Sequence, residues 1–220
     1  MQAYATIIRF FQQGGVFMYP IVVVLALGLA IAVERWMFLT MTTTKNKVLW
    51  NKVTPFLKAG KFAEAVQVTS KSKAAIAQIM TYGLNRVRSA RRREDVEQAM
   101  EESLMEVMPR LEKRTHYLAT FANIATLLGL LGTIIGLINA FTAVSSANPA
   151  EKADLLSASI SVAMNTTAFG LIVAIPLLLM HTLLQTKTTE IIDSLEMASV
   201  KFLNAIMERA QGNAQQAKAG

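Results

Sequence analysis

The sequence predicts an all-α membrane protein with three transmembrane helices. Hydrophobic residues make up 53% of the 220-residue chain, and charged residues make up only 17%, whereas about 25% is typical of soluble domains. Three stretches without Asp, Glu, Lys or Arg are each long enough to cross a bilayer, which takes about 20 apolar residues. Outside them, apolar residues recur at helical spacing, at Val96, Met100, Leu104, Val107 and Leu111.

The first predicted span covers residues 16–38 and follows an outer interfacial helix over residues 1–15, whose Tyr4, Ile7, Ile8 and Phe11 lie at helical spacing. A cleaved signal peptide is the alternative, because residues 30–32 (AIA) resemble a cleavage site. The apolar run exceeds the usual signal length of about 7–15 residues, however, and residues 34–36 (ERW) follow it like an interfacial stop. We therefore expect a retained span.

The remaining elements follow from the same periodicity. Residues 39–93 form a cytoplasmic helical loop with short helices around 48–57, 62–69 and 74–88, separated at Pro55, Gly60 and residues 71–73. The second span (about 118–141) lies in one long helix over 94–145, which Pro109 could kink. A periplasmic loop covers 146–158, and the third span (about 160–184) lies in a long helix over 159–210. Residues 211–220 form a polar tail that we expect to be disordered.

Basic residues determine the predicted orientation. Residues 45–114 contain fifteen of the 22 Lys and Arg residues, against eight acidic residues. The connection between the second and third spans contains only Lys152 beside Glu151 and Asp154. Because cytoplasmic segments are enriched in Lys and Arg, the N-terminus is predicted to be periplasmic and the C-terminus cytoplasmic. Both later helices would then extend into the cytoplasm.

The sequence gives little support for an enzyme, a metal centre or nucleic-acid binding. It lacks cysteine, and it contains no GxxxxGK[ST], GxGxxG, HExxH or GxSxG motif. Its two histidines, His116 and His181, are far apart in the sequence. The basic run at residues 91–93 (RRR) is followed at once by Glu94 and Asp95, as expected for a positive-inside segment that precedes an acidic helix start. We therefore predict no enzyme activity, no metal and no cofactor.

The second span carries one helical face made only of small or hydroxylated residues: Ala122, Thr126, Gly129, Thr133, Gly136 and Ala140. A similar face follows in the third span at Ala163, Thr167, Gly170 and Ala174. Such faces let helix backbones approach closely within lipid. We predict that these two helices pack on each other or on neighbouring copies, through Gly129, Gly132, Gly136, Gly170 and Ala174.

Hydroxyl and amide groups on or beside these faces are candidates for an ion pathway. They are Thr133, Thr167, Thr166, Asn165 and Thr126. The alternative is that each threonine only bonds a carbonyl group of its own helix. None of the three apolar cores contains Asp, Glu, Lys or Arg, although proton relays in membranes usually need an ionisable side chain. If the chain conducts protons, a partner must supply the titrating group.

At these positions the sequence resembles the MotA/TolQ/ExbB proton channel family, and in particular its three-span ExbB/TolQ branch. The resemblance rests on residues 127–136 (LLGLLGTIIG) and 167–176 (TAFGLIVAIP). Residues 18–20 (MYP) and 34–35 (ER) support it. The family's two pore threonines match Thr133 and Thr167.

The resemblance implies a homopentamer in the bacterial inner membrane. Its second and third spans would enclose a dimer of a single-span ExbD/TolR-like partner with a transmembrane Asp, and lipids would surround the ring. Ion flow, of H⁺ or alternatively Na⁺, would be converted into mechanical work for a periplasmic or outer-membrane process such as energised transport.

Two positions depart from the family pattern, and two other functions remain open. Val162 stands where ExbB and TolQ proteins often have Glu, and Thr126 stands where they often have Pro. A flagellar-stator-like subunit is one alternative, but stator chains of this family have four spans. The other is a structural oligomeric membrane scaffold without ion conduction.

Overall fold

The computed structural model describes residues 14–87 and 92–219, and the regular structure within those ranges is α-helical. The helices are α1 (Met18–Ala59), α2 (Phe62–Ser70), α3 (Ala75–Val87), α4 (Arg93–Glu112), α5 (Thr115–Ser146) and α6 (Lys152–Ala219). The predicted all-α fold class is confirmed. The outer helix predicted over residues 1–15 lies almost entirely outside the described residues.

Three helical segments are long and apolar enough to cross a membrane, as the sequence predicts. They are Met18–Ala59, Arg93–Ser146 and Lys152–Ile206. Only 28%, 22% and 28% of their most apolar stretches are buried within the chain. The other apolar side chains face outwards, where lipid or other protein must cover them. The chain is therefore a multi-pass membrane protein.

The chain divides into two compact units. The first comprises Met1–Arg35 and Arg114–Leu184. Its core combines large side chains with small ones on α5: Met18, Ile21, Leu118, Ala122, Ala125 and Leu177 are all almost fully buried. The alanines leave room for a neighbouring helix backbone, which is the packing that small residues allow within lipid.

The second unit comprises Trp36–Lys113 and Gln185–Gly220. Here α2 packs on α3, and α3 packs on α4. Gly83 of α3 lies against Met100 of α4 and Phe202 of α6, and Phe202 is fully buried. The Asn46 side-chain oxygen accepts a hydrogen bond from the Ile76 N–H at 3.3 Å, which joins α1 to the start of α3.

The first helix continues well beyond its predicted span and ends at Ala59. Pro55 lies inside this helix and does not break it, contrary to the sequence prediction. The helix ends instead at Gly60, which has a φ of +74°. The Gly60 N–H donates to the Leu57 carbonyl at 3.1 Å, and the Lys61 N–H donates to that of Phe56 at 2.9 Å. This is the glycine-terminated Schellman arrangement.

The single helix predicted over residues 94–145 is divided in the structure. Pro109 remains inside α4, and the break falls at Lys113 and Arg114. Arg114 has a φ of 67° and is the one non-glycine residue with positive φ among those described. Its Nη1 atom lies 3.1 Å from Oε2 of Glu34. This ion pair with a residue 80 positions earlier in the chain holds the break in place.

The backbone at Arg114 leads to a testable prediction about stability. A left-handed conformation costs an L-residue roughly 1–2 kcal/mol, whereas an exposed ion pair contributes at most about 1 kcal/mol. We expect Arg114→Gly to leave the thermal midpoint in detergent nearly unchanged, because the two effects offset each other. Arg114→Val should lower stability by about 2 kcal/mol, because β-branched residues tolerate positive φ poorly. Equal midpoints for the two variants would contradict a left-handed residue here.

The last helix is longer than predicted at both ends. It begins at Lys152, within the predicted 146–158 loop, and Asp154 in its first turn suits the positive end of the helix dipole. The connection to α5 is therefore short. The helix also continues to Ala219, through the tail predicted to be disordered. That segment (QGNAQQAKA) contains three alanines and three glutamines, which favour helix when no proline interrupts them.

Candidate functional site

The small faces of α5 and α6 meet backbone to backbone within the first unit. A Cβ atom placed on Gly170 would lie 2.7 Å from the Ala125 carbonyl oxygen and 3.1 Å from the Cα atom of Gly129. Gly132 faces the methyl group of Thr166, and Gly136 faces Ala163. Ala174, at the end of the same face, is buried. The sequence left two partners open for these faces, and in the structure they contact each other.

This close approach brings the two candidate threonines together. Thr133 Oγ1 of α5 and Thr167 Oγ1 of α6 are 2.9 Å apart. Thr167 Oγ1 also donates across the interface to the Gly129 carbonyl at 2.8 Å. Thr133 Oγ1 lies 2.8 Å from the carbonyl oxygen of Leu130 and 3.3 Å from that of Gly129. The result is a compact group of four oxygen atoms between two helices.

Proton counting shows what this group can do. Each hydroxyl has one proton to donate and two lone pairs to accept with. If Thr133 donates to Thr167, then Thr167 donates to the Gly129 carbonyl. If Thr167 donates to Thr133 instead, Thr133 donates to the Leu130 carbonyl. The two arrangements differ in the carbonyl that accepts, Gly129 in the first and Leu130 in the second, and in each a hydroxyl can still accept a further hydrogen bond. Both threonines are partly exposed, so water or another protein can reach them.

The other candidate residues have different surroundings. Thr166 is 2% exposed, and its hydroxyl donates to the Gly14 carbonyl at 2.5 Å or to that of Val162 at 3.0 Å. Thr126 donates to the Ala122 carbonyl of its own helix at 3.1 Å. Asn165 is partly exposed. The structure thus joins Thr133 with Thr167 but keeps the hydroxyl groups of Thr126 and Thr166 on other carbonyls.

Sequence reasoning missed the turn before α1 as a neighbour of this site. Gly15 has a φ of +73°, and a Cβ atom there would lie 3.2 Å from a methyl group of Val162. Gly14 supplies the carbonyl that binds Thr166. The signal available in the sequence was the Gly14–Gly15 pair immediately before an apolar span. At the position where ExbB and TolQ proteins often have Glu, this chain therefore has an apolar contact.

Charged groups lie outside the threonine site. The second and third apolar spans contain no Asp, Glu, Lys or Arg. In the part of the chain that the structure describes, no three His, Asp or Glu side chains come together as metal ligands would. The two threonines can therefore relay a proton through their hydroxyl hydrogen bonds, but they have no ionisable group of their own to store one.

A sequence model of the MotA/TolQ/ExbB proton channel family matches residues 71–197. That range is more than half of the chain and includes both threonines. The chain belongs to the MotA/TolQ/ExbB proton channel family. The matched range begins before α3 and extends far into α6, so the paired helices α5 and α6 lie wholly or largely inside it.

Individual relatives agree with this membership. The chain is 28% identical over 196 residues to a putative biopolymer transport protein ExbB homolog of Methanothermobacter thermautotrophicus. The aligned stretch covers 88% of this chain and 68% of the relative. It is 26% identical to the putative biopolymer transport protein ExbB-like 3 of Synechocystis, covering 76% and 80% of the two chains. Identity to the Tol-Pal system protein TolQ of Haemophilus influenzae is 36%, over 37% of this chain and 35% of that one. The chain is thus a divergent member of the ExbB/TolQ branch.

Proposed function

We propose that this chain is the ion-conducting subunit of an ExbB/TolQ-like energiser and that Thr133 and Thr167 line its ion path. The observation that supports the proposal most is the 2.9 Å contact between their hydroxyl oxygens. Two hydroxyl groups from different helices meet within spans that contain no Asp, Glu, Lys or Arg, and they remain partly exposed. Polar groups placed in this way within a membrane typically mark substrate or ion pathways.

The missing carboxylate suggests the partner. The pair can pass a proton through hydroxyl groups but cannot hold it as a separate charge, because neither threonine titrates near neutral pH. A single-span ExbD/TolR-like protein with a transmembrane Asp would supply that group. A hydroxyl of Thr133 or Thr167 can accept a hydrogen bond from the protonated Asp and can donate one to the ionised Asp. We propose H⁺ as the ion for this reason, with Na⁺ as the alternative.

The family resemblance supports the assembly and its place in the cell. We propose a homopentamer around a dimer of the partner in the inner membrane, with the N-terminus periplasmic and the C-terminus cytoplasmic. The apolar surface of the three spans, most of which the single chain leaves uncovered, is consistent with further contacts to other copies and to lipid. Ion flow would drive a periplasmic or outer-membrane process such as energised transport. Asn165, Thr166 and Thr126 would lie near the path, with Thr166 fixing the turn before α1.

Purification from native membranes in mild detergent, followed by native mass spectrometry, tests this proposal. We expect a ring of this chain that retains a small single-span protein whose span contains Asp. Replacing that Asp by Asn should abolish ion flux without releasing the partner. A ring that never contains a partner across several gentle detergents would contradict the proposal. It would favour a structural scaffold, in which the small faces serve packing only.

A further inference from the structure

A cavity of about 230 Å³ in the second unit is lined by three cationic side chains: Lys45 of α1, Lys73 before α3 and Arg110 of α4. No carboxylate among the described residues lines it. Apolar side chains of α1 and α4 form the rest of its wall, including Phe38, Met41, Val107 and Leu111. Three cationic side chains and no lining carboxylate make this cavity suited to an anion, and its apolar wall suits a ligand that also has a hydrocarbon part.

The position of the cavity along α1 relates it to the membrane surface. Trp36 directly follows the apolar run of the first span, with Lys187 Nζ 4.4 Å from its ring centre, and Trp at the end of a span typically lies at the level of lipid headgroups. Phe38 and Met41 follow within two turns and remain 38% and 58% exposed. Lys45 lies about 10 Å further along the helix axis than Phe38, at 1.5 Å per residue. Long basic side chains can reach back over that distance towards the interface.

We propose that this cavity binds the phosphate headgroup of an anionic phospholipid from the adjacent leaflet. Lys45, Lys73 and Arg110 would contact the phosphate oxygens, while Phe38 and Met41 would contact the start of the acyl chains. Arginine can contact two phosphate oxygens at once, whereas lysine acts as a point charge. The wall also includes Ala75, where α3 begins, and the positive end of that helix adds to the attraction.

One of the three cations also takes part in an ion pair. Arg110 pairs with Glu106 at 3.5 Å, and both side chains are largely exposed. An exposed pair of this kind contributes little energy, so a phosphate in the cavity can compete with Glu106 for the Arg110 guanidinium. Lys45 and Lys73 are also exposed. A soluble phosphate would use the same cations but would leave the exposed apolar side chains of Phe38 and Met41 uncovered. The apolar wall therefore favours a lipid.

The test compares lipid retention by three forms of the full-length protein. Each is reconstituted into nanodiscs of equal parts phosphatidylcholine and phosphatidylglycerol, and the retained lipids are counted by native mass spectrometry. We expect the wild type to retain phosphatidylglycerol preferentially. The triple variant Lys45→Gln, Lys73→Gln, Arg110→Gln should bind it about a hundredfold more weakly, at about fivefold for each cation removed near the surface. A matched control, Lys52→Gln, Lys58→Gln, Lys71→Gln, removes the same charge elsewhere and should retain the preference.

Two further measurements determine what occupies the cavity. Phe38→Ala with Met41→Ala should weaken phosphatidylglycerol retention while leaving binding of inorganic phosphate unchanged. If the triple variant and its matched control lose phosphatidylglycerol retention equally, the proposal is overturned in favour of a diffuse electrostatic attraction between the basic segment and the lipid. Binding of inorganic phosphate as tight as that of the lipid would overturn it in favour of a soluble ligand. Circular dichroism and size exclusion verify that the variants fold.

The lipid site does not depend on the threonine pair. The inference requires only that the first span ends near Phe38, and none of its residues lies in the proposed ion path. Loss of lipid binding with normal ion flux would count against neither threonine. Absence of ion flux in a wild-type complex that still retains phosphatidylglycerol would count against the proposed function alone.

Discussion

Replacement of Thr167 by valine is expected to abolish ion flux and to leave assembly intact. Valine has nearly the same shape as threonine, so the contact between α5 and α6 should persist. The hydroxyl that lies 2.9 Å from Thr133 Oγ1 and donates to the Gly129 carbonyl is lost. A side chain positioned for proton transfer typically contributes roughly 10²–10⁴-fold to a rate. We therefore expect flux in reconstituted vesicles to fall by about a hundredfold or more.

Two control variants separate the hydroxyl from the packing. Thr167→Ser keeps the hydroxyl and should retain most of the flux. Thr142→Val removes a hydroxyl of α5 that donates to the Ile138 carbonyl of the same helix at 2.8 Å, and it should have little effect. Wild-type flux in Thr167→Val, in a complex that has assembled normally, would rule out the role assigned to Thr167.

The second large effect is expected at Gly170, where Gly170→Val should separate the two helices. A Cβ atom there would lie 2.7 Å from the Ala125 carbonyl oxygen and 3.1 Å from the Gly129 Cα atom. Both are backbone atoms, so no flexible side chain can move aside. Overpacking costs typically about 1–3 kcal/mol, and separation also breaks the hydrogen bond from Thr167 to Gly129. We expect a lower thermal midpoint together with loss of flux.

Ala168→Val is the matched control, because Ala168 is exposed on the same helix. This substitution adds two methyl groups without meeting the backbone of α5. The thermal midpoint and the ion flux should therefore both stay close to wild type. Gly170→Ala should fall between the two variants. A Gly170→Val complex with an unchanged midpoint and unchanged flux would contradict the backbone contact.

The sequence predicted the spans and the two small helix faces because both depend on local patterns, but it left open whether those faces contact each other or a neighbouring copy. The spacing of the small residues from Ala122 to Ala140 places them on one face of one helix. When a second face of this kind packs against it, the two helix backbones come close together. The contact between Thr133 and Thr167 follows from that packing. The two threonines are 34 positions apart in the sequence. Thr133 lies four residues after Gly129, and Thr167 lies three residues before Gly170, so each is close to a glycine at the helix contact.

Features that depend on distant residues were not predictable in the same way. The helix break at Arg114 uses arginine where glycine would have signalled a left-handed residue, and its partner Glu34 is 80 positions away. Thr166 donates to Gly14, which is 152 positions away. Pro55 suggested a break in α1, but Gly60 ends the helix because only glycine adopts the required φ without strain. Of these features, only the helix end at Gly60 depends on a local residue, and it is the one that residue preferences in the sequence indicated.

The most direct test of the proposed ion path is a double-mutant cycle on Thr133 and Thr167. Proton flux is measured in vesicles that contain the complex with its partner, for the wild type, Thr133→Val, Thr167→Val and the double variant. If the two hydroxyls act as one relay, removing either one interrupts it. The double variant should then be no slower than the slower single variant. Single effects that multiply in the double variant, or flux that persists in all three variants, would contradict a shared path through these two residues.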